Sequence, residues 1–270
     1  MSRRVPPAST EDVTPEIIRA RDSDIPLDVF PSGFLELYEV LSYRNALHIL
    51  YRACGEEFDQ IVKALMDFRI DTMDMVRPGG NKSKVAIKME RLLHPLGWTE
   101  TSIEADLDIT RVSHVARTRK KKTTKLYRIP GFVAGHKIDF VKGRVAFDME
   151  WNSKDQTFDR DINAVRALYE CNIVAAGVLL TRSADLVPLF REIQSRVDIK
   201  DFKSKYGAST TWMGKLTSRL DAGRAGGAPI LALGIRRSVV SDFDTWKAEH
   251  PPKRDAVFSI DQPVGGDDVC

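Results

Sequence analysis

Ile138-Asp139-Phe140-Val141-Lys142-Gly143-Arg144-Val145-Ala146-Phe147-Asp148-Met149-Glu150-Trp151-Asn152 is the stretch on which the fold turns. Two apolar-rich runs flank Lys142-Gly143, where glycine supplies the positive φ that a two-residue hairpin turn requires. With that turn, Val141 faces Arg144, Phe140 faces Val145 and Asp139 faces Ala146. Side chains alternate along a strand, so Asp139, Ala146, Asp148 and Glu150 share one face. Ile138, Phe140, Val145, Phe147 and Met149 take the other. Asp139 and Asp148 become diagonal neighbours, about 7–8 Å apart at Cα.

Three carboxylates on one face repel one another, and no cation in that register offsets them. A divalent metal does, and Mg²⁺ favours oxygen ligands while keeping waters for substrate phosphates. The chemistry that uses such a centre is phosphodiester hydrolysis, with the metal polarising the phosphate and activating the attacking water. The plainer reading is a solvent-facing acidic strand balanced by Lys137, Lys142 and Arg144. The hairpin by itself leaves both readings open.

Upstream, Phe34, Leu35, Leu37, Tyr38, Leu41, Ala46, Leu47 and Leu50 form a stripe that predicts a helix over about 33–53. A second amphipathic helix is expected over 56–69 and a third over Lys84–Leu93, after the break at Pro78-Gly79-Gly80-Asn81. Ile103–Ile109 alternates weakly as a strand. Downstream of the hairpin, Phe158–Glu170, Ala184–Arg196 and Thr210–Asp221 read as helices. Asn172–Thr181 and Ile230–Ile235 are continuous apolar runs suited to buried strands. Helices alternating with strands after an antiparallel hairpin give an α/β fold with a mixed sheet. Residues 1–32, with five prolines, read as an arm. Residues 33–250 read as a single domain, helical over about 33–97 with a catalytic α/β core over about 100–236, and 251–270 as a flexible tail.

At 270 residues the chain holds one to two domains. No apolar run approaches the roughly 18 residues of a membrane span, and no apolar segment follows the first arginines as a secretory signal requires. Three dispersed cysteines without a CxxC argue against a disulfide scaffold or zinc site and fit a reducing cytoplasm. Net charge is only +3, but Arg111 to Arg128 carries eight basic residues and no acid, leaving −5 for the remainder. That local excess suits a polyanion, or else a solvated loop. No Walker loop, dinucleotide fingerprint or nucleophile elbow is present, so no nucleotide cofactor is expected.

The pattern of Asp139, eight residues, then Asp148-Met149-Glu150 resembles the active-site hairpin of PD-(D/E)XK nucleases. Ile138-Asp139-Phe140 followed by Asp148-Met149-Glu150-Trp151-Asn152-Ser153 is similar to the type II restriction endonucleases of the BglII/BamHI-like group. A wider likeness runs from about Pro78 to Ile235. The resemblance implies a restriction-endonuclease-like core, a central mixed sheet flanked by helices with an N-terminal helical region. It also implies Mg²⁺-dependent, sequence-specific double-strand cleavage of DNA by a cytoplasmic homodimer. Carried over by position, Asp139 and Asp148 bind metal and Glu150 takes the third catalytic position. Lysine is usual there and glutamine occurs in BglII-like members, so Glu150 stands open between general base and extra ligand. A second register makes Glu150 the second acid and Asn152 the third residue.

Asn81, Lys82 and Ser83 precede a helix, where free N–H groups favour phosphate, although an N-cap beside a surface lysine explains them equally. Arg119, Lys120, Lys121 and Lys122 are candidates for tracking duplex phosphates, as are Asn152 and Lys154 beyond the hairpin. Only Tyr127 among the basic run is aromatic, which gives little support to a single-strand stacking platform. His114 and His136 read as structural or solvent-facing, and Glu90 as a helix-surface acid or a supplementary one. Two rivals stand beside the restriction reading. One is a structure-specific repair nuclease of the same fold, and the other a non-catalytic DNA-binding regulator.

Overall fold

The computed structural model describes residues 20–77, 82–114, 122–198 and 202–253. In chain order its elements are α1 (Phe34–Leu37), β1 (Tyr38–Tyr43), α2 (Ala46–Ala53), α3 (Gly55–Asp67), α4 (Thr72–Val76) and α5 (Lys84–Leu93). There follow β2 (Thr99–His114), β3 (Lys122–Lys142), β4 (Val145–Glu150), α6 (Thr157–Glu170), β5 (Ala176–Arg182) and α7 (Leu186–Arg196). The described chain closes with α8 (Phe202–Tyr206), α9 (Met213–Asp221), β6 (Ile230–Ile235) and α10 (Phe243–Glu249).

Among the described residues, six strands form one sheet in the order β1-β6-β5-β4-β3-β2. The central β4, β5 and β6 run parallel, and the outer pairings are antiparallel. The parallel strands are buried along almost their whole length, which is why β5 and β6 read as unbroken apolar runs. Alternation along these strands serves two cores. Phe140, Phe147, Val178, Leu180 and Leu233 belong to the larger one, with residues of α2, α3, α5 and α7. Ala146, Leu179, Ile230 and Ala232 belong to the other, with α6 and α9. The sheet is thus the middle of three layers of an α/β fold. Gly177 lets α6 approach closely, because a Cβ there would stand 2.6 Å from a methyl of Val165.

Four expectations are corrected. The helical stripe over 33–53 is broken by β1, which pairs along its length with β6, Tyr38 opposite Ile235. Arg44 and Asn45 both take left-handed backbone after it, and Asp22 accepts hydrogen bonds from the Asn45 N–H and the Ser42 hydroxyl. Pairing partners distant in sequence therefore override local periodicity. Asp22 and Phe30, which stacks on Phe34 at 4.3 Å, bring the packed body upstream of residue 33, into the stretch assigned to an arm.

The hairpin register also differs. Lys142 faces Val145, Val141 faces Ala146 and Phe140 faces Phe147, so the turn residues are Gly143 and Arg144. The shift is two residues, so the paired residues Phe140 to Lys142 keep their faces, and the pairing ends at Phe140 and Phe147, one residue short of Asp139 and Asp148. Gly143 takes φ +51°, and a Cβ on it would collide with the Glu57 carboxylate. Finally, the β2–β3 ladder slips between Thr99 and Thr101, setting Ile138 to Val141 against a shorter stretch of β2. Ile138 thereby joins the cluster of Ala146, Phe158 and Ile162, not that of Phe140 and Phe147.

Beyond this slip β2 and β3 continue as a two-stranded ribbon as far as His114 and Lys122. The basic run has acids opposite it in space: Arg128 faces Asp108 and binds Asp106 at 2.6 Å.

Candidate active site

The acids gather where β3 leaves the sheet and β4 ends. The Asp139 N–H points to Asp148 Oδ1 at 3.4 Å, and the Met149 N–H donates to Asp139 Oδ2 at 3.2 Å. Glu150 closes β4, and its carbonyl accepts from the Thr181 hydroxyl at 2.7 Å, which ties that strand end to β5. A fourth carboxylate arrives from the covering helix. Asp161 of α6 is 2% exposed and Asp148 is 4% exposed. His136 of β3 places Nε2 3.1 Å from Asp161 Oδ1.

The three cations that would make this a balanced acidic strand are engaged elsewhere. Lys137 binds Glu100 at 2.7 Å, and Lys142 reaches Glu56, Gln60 and the Leu96 carbonyl. Arg144 binds Asn172 at 2.7 Å. Meanwhile Asp148 Oδ2, Glu150 Oε2 and Asp161 Oδ2 are buried without hydrogen-bond partners. Orphaned carboxylate oxygens in an apolar surround carry a large desolvation penalty unless a cation meets them. The donor set is oxygen-rich, and it fits a hard divalent ion.

The electrostatics agree. Burial, followed by the fields of Asp161 and Asp139, pushes the Asp148 carboxyl well above the usual carboxylate range. Burial, then Asp161, lifts Glu150 to about 7, against the opposing hydrogen bonds of Ser153 and Thr157. Asp161 is raised by burial despite the imidazole beside it.

Asp139 and Glu150 also front a cavity of about 690 Å³ whose other lining includes Arg77, Lys82, Lys84 and Lys205. Asp74, Asp139 and Glu150 thus share one groove with four basic side chains, the arrangement expected where a phosphodiester is held and attacked. Lys205 is fixed by the carbonyls of Met75 and Arg77 at 3.1 and 3.0 Å, and burial lowers its pKa. A neighbouring cavity of about 330 Å³ is lined by His136, Asp148, Arg160 and Asp161 together with Asp139 and Glu150.

The other candidate residues divide. Asn152 lines the larger cavity. Lys82 lines it too, paired with Glu90, which accounts for that helix acid. Ser83 is the N-cap of α5, accepting from the Ala86 N–H at 3.1 Å, while also bordering the cavity. Lys154 makes a backbone bridge to Thr210. Lys122 is exposed at the start of β3. Asn81, Arg119, Lys120 and Lys121 lie outside the described residues.

Sequence reasoning missed Asp161, Arg77 and Lys205, and it gave His136 no part in the site. One signal for Asp161 was legible. It occupies the apolar stripe of α6 defined by Phe158, Ile162 and Val165, where an aspartate has no place unless something meets it.

The family model described as restriction endonuclease BglII/BglIII matches residues 38–235. The chain belongs to this family. The matched span begins with the first residue of β1 and ends with the last of β6, so it takes in the whole sheet and every acid of the site. A comparison with curated proteins gave no match. As a BglII/BglIII-type restriction endonuclease the protein is a nuclease, a hydrolase whose substrate is DNA. Among the described residues, no helix of this endonuclease is long and apolar enough to cross a membrane.

Proposed function

We propose that the protein is a Mg²⁺-dependent type II restriction endonuclease that cuts both strands of a short, specific duplex site. The observation that carries this reading is the contact of Asp139 with Asp148, with Glu150 beside it: Asp148 Oδ2 and Glu150 Oε2 are buried without hydrogen-bond partners, and Asp139 and Glu150 line a cavity that Arg77, Lys82 and Lys205 also line. Asp139 and Asp148 are assigned to hold the metal. When bound, Mg²⁺ supplies charge stabilisation at the scissile phosphate and at the leaving oxygen.

The chain's own residues do the rest. Arg77, Lys82 and Lys205, which line the same cavity as Asp139 and Glu150, hold the phosphodiester there, aided by the N-terminal end of α5. Glu150, whose carboxyl is lifted to about 7, is poised at neutral pH to take a proton from the attacking water. The contacts of Asp139 with Asp148 and the Met149 N–H favour the register in which Glu150, not Asn152, takes the third position. Asn152, at the cavity wall, is left for substrate contact. The described residues hold one such acid pair, and a duplex has two scissile strands. A homodimer with two-fold symmetry, matching a palindromic site, is therefore the working form.

Incubating the purified protein with phage DNA, with Mg²⁺ or with EDTA, tests the reading. Discrete fragments that require Mg²⁺ are expected, and sequencing their ends gives the site and stagger. Asp148→Ala is expected to lower cleavage at least about 10³-fold while leaving specific duplex binding measurable. Cutting by Asp148→Ala at the parent rate defeats the assignment. Smeared products from plain duplex, with clean cutting of branched junctions, point to the structure-specific alternative.

A further inference from the structure

The carboxylates assigned above do not use everything the hairpin end offers. His136 from β3, Asp148 from β4 and Asp161 from α6 place one donor atom each within 4.8 Å of one another. They come from three elements, so no single turn or helix end accounts for their meeting. His136 Nε2, Asp148 Oδ2 and Asp161 Oδ2 are all buried without a hydrogen-bond partner. The imidazole lies 3.1 Å from Asp161 Oδ1 but is not aligned to donate to it. Two of the three residues are more than nine-tenths buried, and the cavity of about 330 Å³ beside them leaves room for further ligands or waters.

We infer that His136, Asp148 and Asp161 form a mixed imidazole–carboxylate site for a first-row transition dication of the Mn²⁺, Co²⁺ or Zn²⁺ class. Around a common ion with bonds of about 2.0–2.2 Å, donors stand up to about 4.4 Å apart, so a contraction of a few tenths of an ångström closes the site. Imidazole nitrogen is the discriminating donor. Mg²⁺ and Ca²⁺ prefer all-oxygen shells, whereas first-row transition ions take nitrogen readily and bind such sets more tightly. Asp148 is shared with the pair that faces Asp139, so the two sites abut on either side of one carboxylate. His136 and Asp161 thereby give this endonuclease a metal preference that its three hairpin acids alone do not.

The site rests on the proposed function only through the shared Asp148, and its test uses no DNA. Full-length protein stripped with EDTA is titrated with Mn²⁺ and followed by pulsed electron paramagnetic resonance, which detects a directly bound ¹⁴N. Nitrogen modulation is expected in the parent protein and is expected to vanish in His136→Gln, with Mn²⁺ affinity falling about tenfold or more. Mg²⁺ affinity, measured by calorimetry, is expected to change less than about twofold in that variant. Asp161→Asn is expected to weaken Mn²⁺ as well. His136 is part-exposed, so His136→Gln remains decisive if Asp161→Asn fails to fold. Absence of nitrogen modulation in the parent, or its persistence in His136→Gln, overturns the inference whether or not the protein cuts DNA.

Discussion

Strand β3 lives in two environments. From Ile138 to Lys142 it lies inside the three-layer body, pairs with both β2 and β4, and carries residues such as Phe140 that are almost fully enclosed. From Lys122 to Phe132 it pairs with β2 alone, and its apolar residues Leu126, Ile129 and Phe132 stand in solvent. An isolated two-stranded ribbon is marginal in water, while a strand held by neighbours and helices is not. The lesson is a division of labour along one strand. The enclosed end has the rigidity to hold unpaired carboxylates at fixed separation, and the open end has the exposure and charge to reach a polyanion.

The largest effect is expected at the enclosed end. Phe147 is fully buried, with its ring centroid 5.5 Å from that of Phe140. Phe147→Ala leaves a void beneath the acids and is expected to cost about 3–5 kcal/mol in urea-induced unfolding. A loss below about 1 kcal/mol breaks the contrast, because it means the hairpin end is not held by its packing.

Next in size is a pH effect on metal-free protein. Glu150 rises from an ordinary 4.5 to about 7 in the folded chain, so the folded state binds this proton more tightly than the unfolded one. Its contribution is fully present below pH 4.5 and is lost as pH rises through about 7. With EDTA present, stability is expected to fall by about 3 kcal/mol across that window, and the raised Asp148 and Asp161 act in the same direction. Divalent metal is expected to reverse the fall, because it replaces the proton as the compensating charge. Stability that instead rises from pH 5 to 7.5 in EDTA contradicts the picture of uncompensated acids. Melting curves at half-unit pH steps decide it.

Much of the enclosed end was legible in the sequence. Lys84–Leu93 and Ile230–Ile235 coincide with α5 and β6, and Asp148 and Glu150 fall on one face of β4 by period-2 alternation. What escaped were the features set by partners distant in the chain. β1 looks helical by spacing and is a strand because β6 lies beside it. Asp161 meets Asp148 only after α6 crosses back over the sheet, and Lys205 reaches the groove through the carbonyls of Met75 and Arg77. The basic run seemed free of acids because counting along the chain ignores the strand opposite, where Asp106 and Asp108 neutralise Arg128.

That last point sharpens the comparison at the open end. Lys122 and Lys125 have no carboxylate partner among the described ion pairs, and Lys125 lies over the Tyr127 ring at 4.9 Å. If the ribbon tracks phosphates, Lys122→Ala with Lys125→Ala is expected to weaken duplex binding roughly equally for all sequences. The slope of log K against log salt should fall by about 2. Arg128→Ala is expected to change it by less, since Asp106 already holds that guanidinium. Fluorescence anisotropy at several salt concentrations measures all three. Equal slopes for parent and double variant remove the ribbon from the DNA interface.

The smallest effect expected is on stability at the same end. Leu126 is 66% exposed, so Leu126→Ser removes little buried apolar area and is expected to change unfolding free energy by less than about 0.5 kcal/mol. The value of this measurement lies in its sensitivity to what covers the ribbon in solution. A loss above about 1.5 kcal/mol that shrinks on dilution of the parent protein means that Leu126 is enclosed between two copies, since only an association equilibrium makes stability depend on concentration. A small loss, unchanged on dilution, leaves the ribbon open to solvent in the free enzyme and reserves its apolar and basic residues for the DNA-bound state.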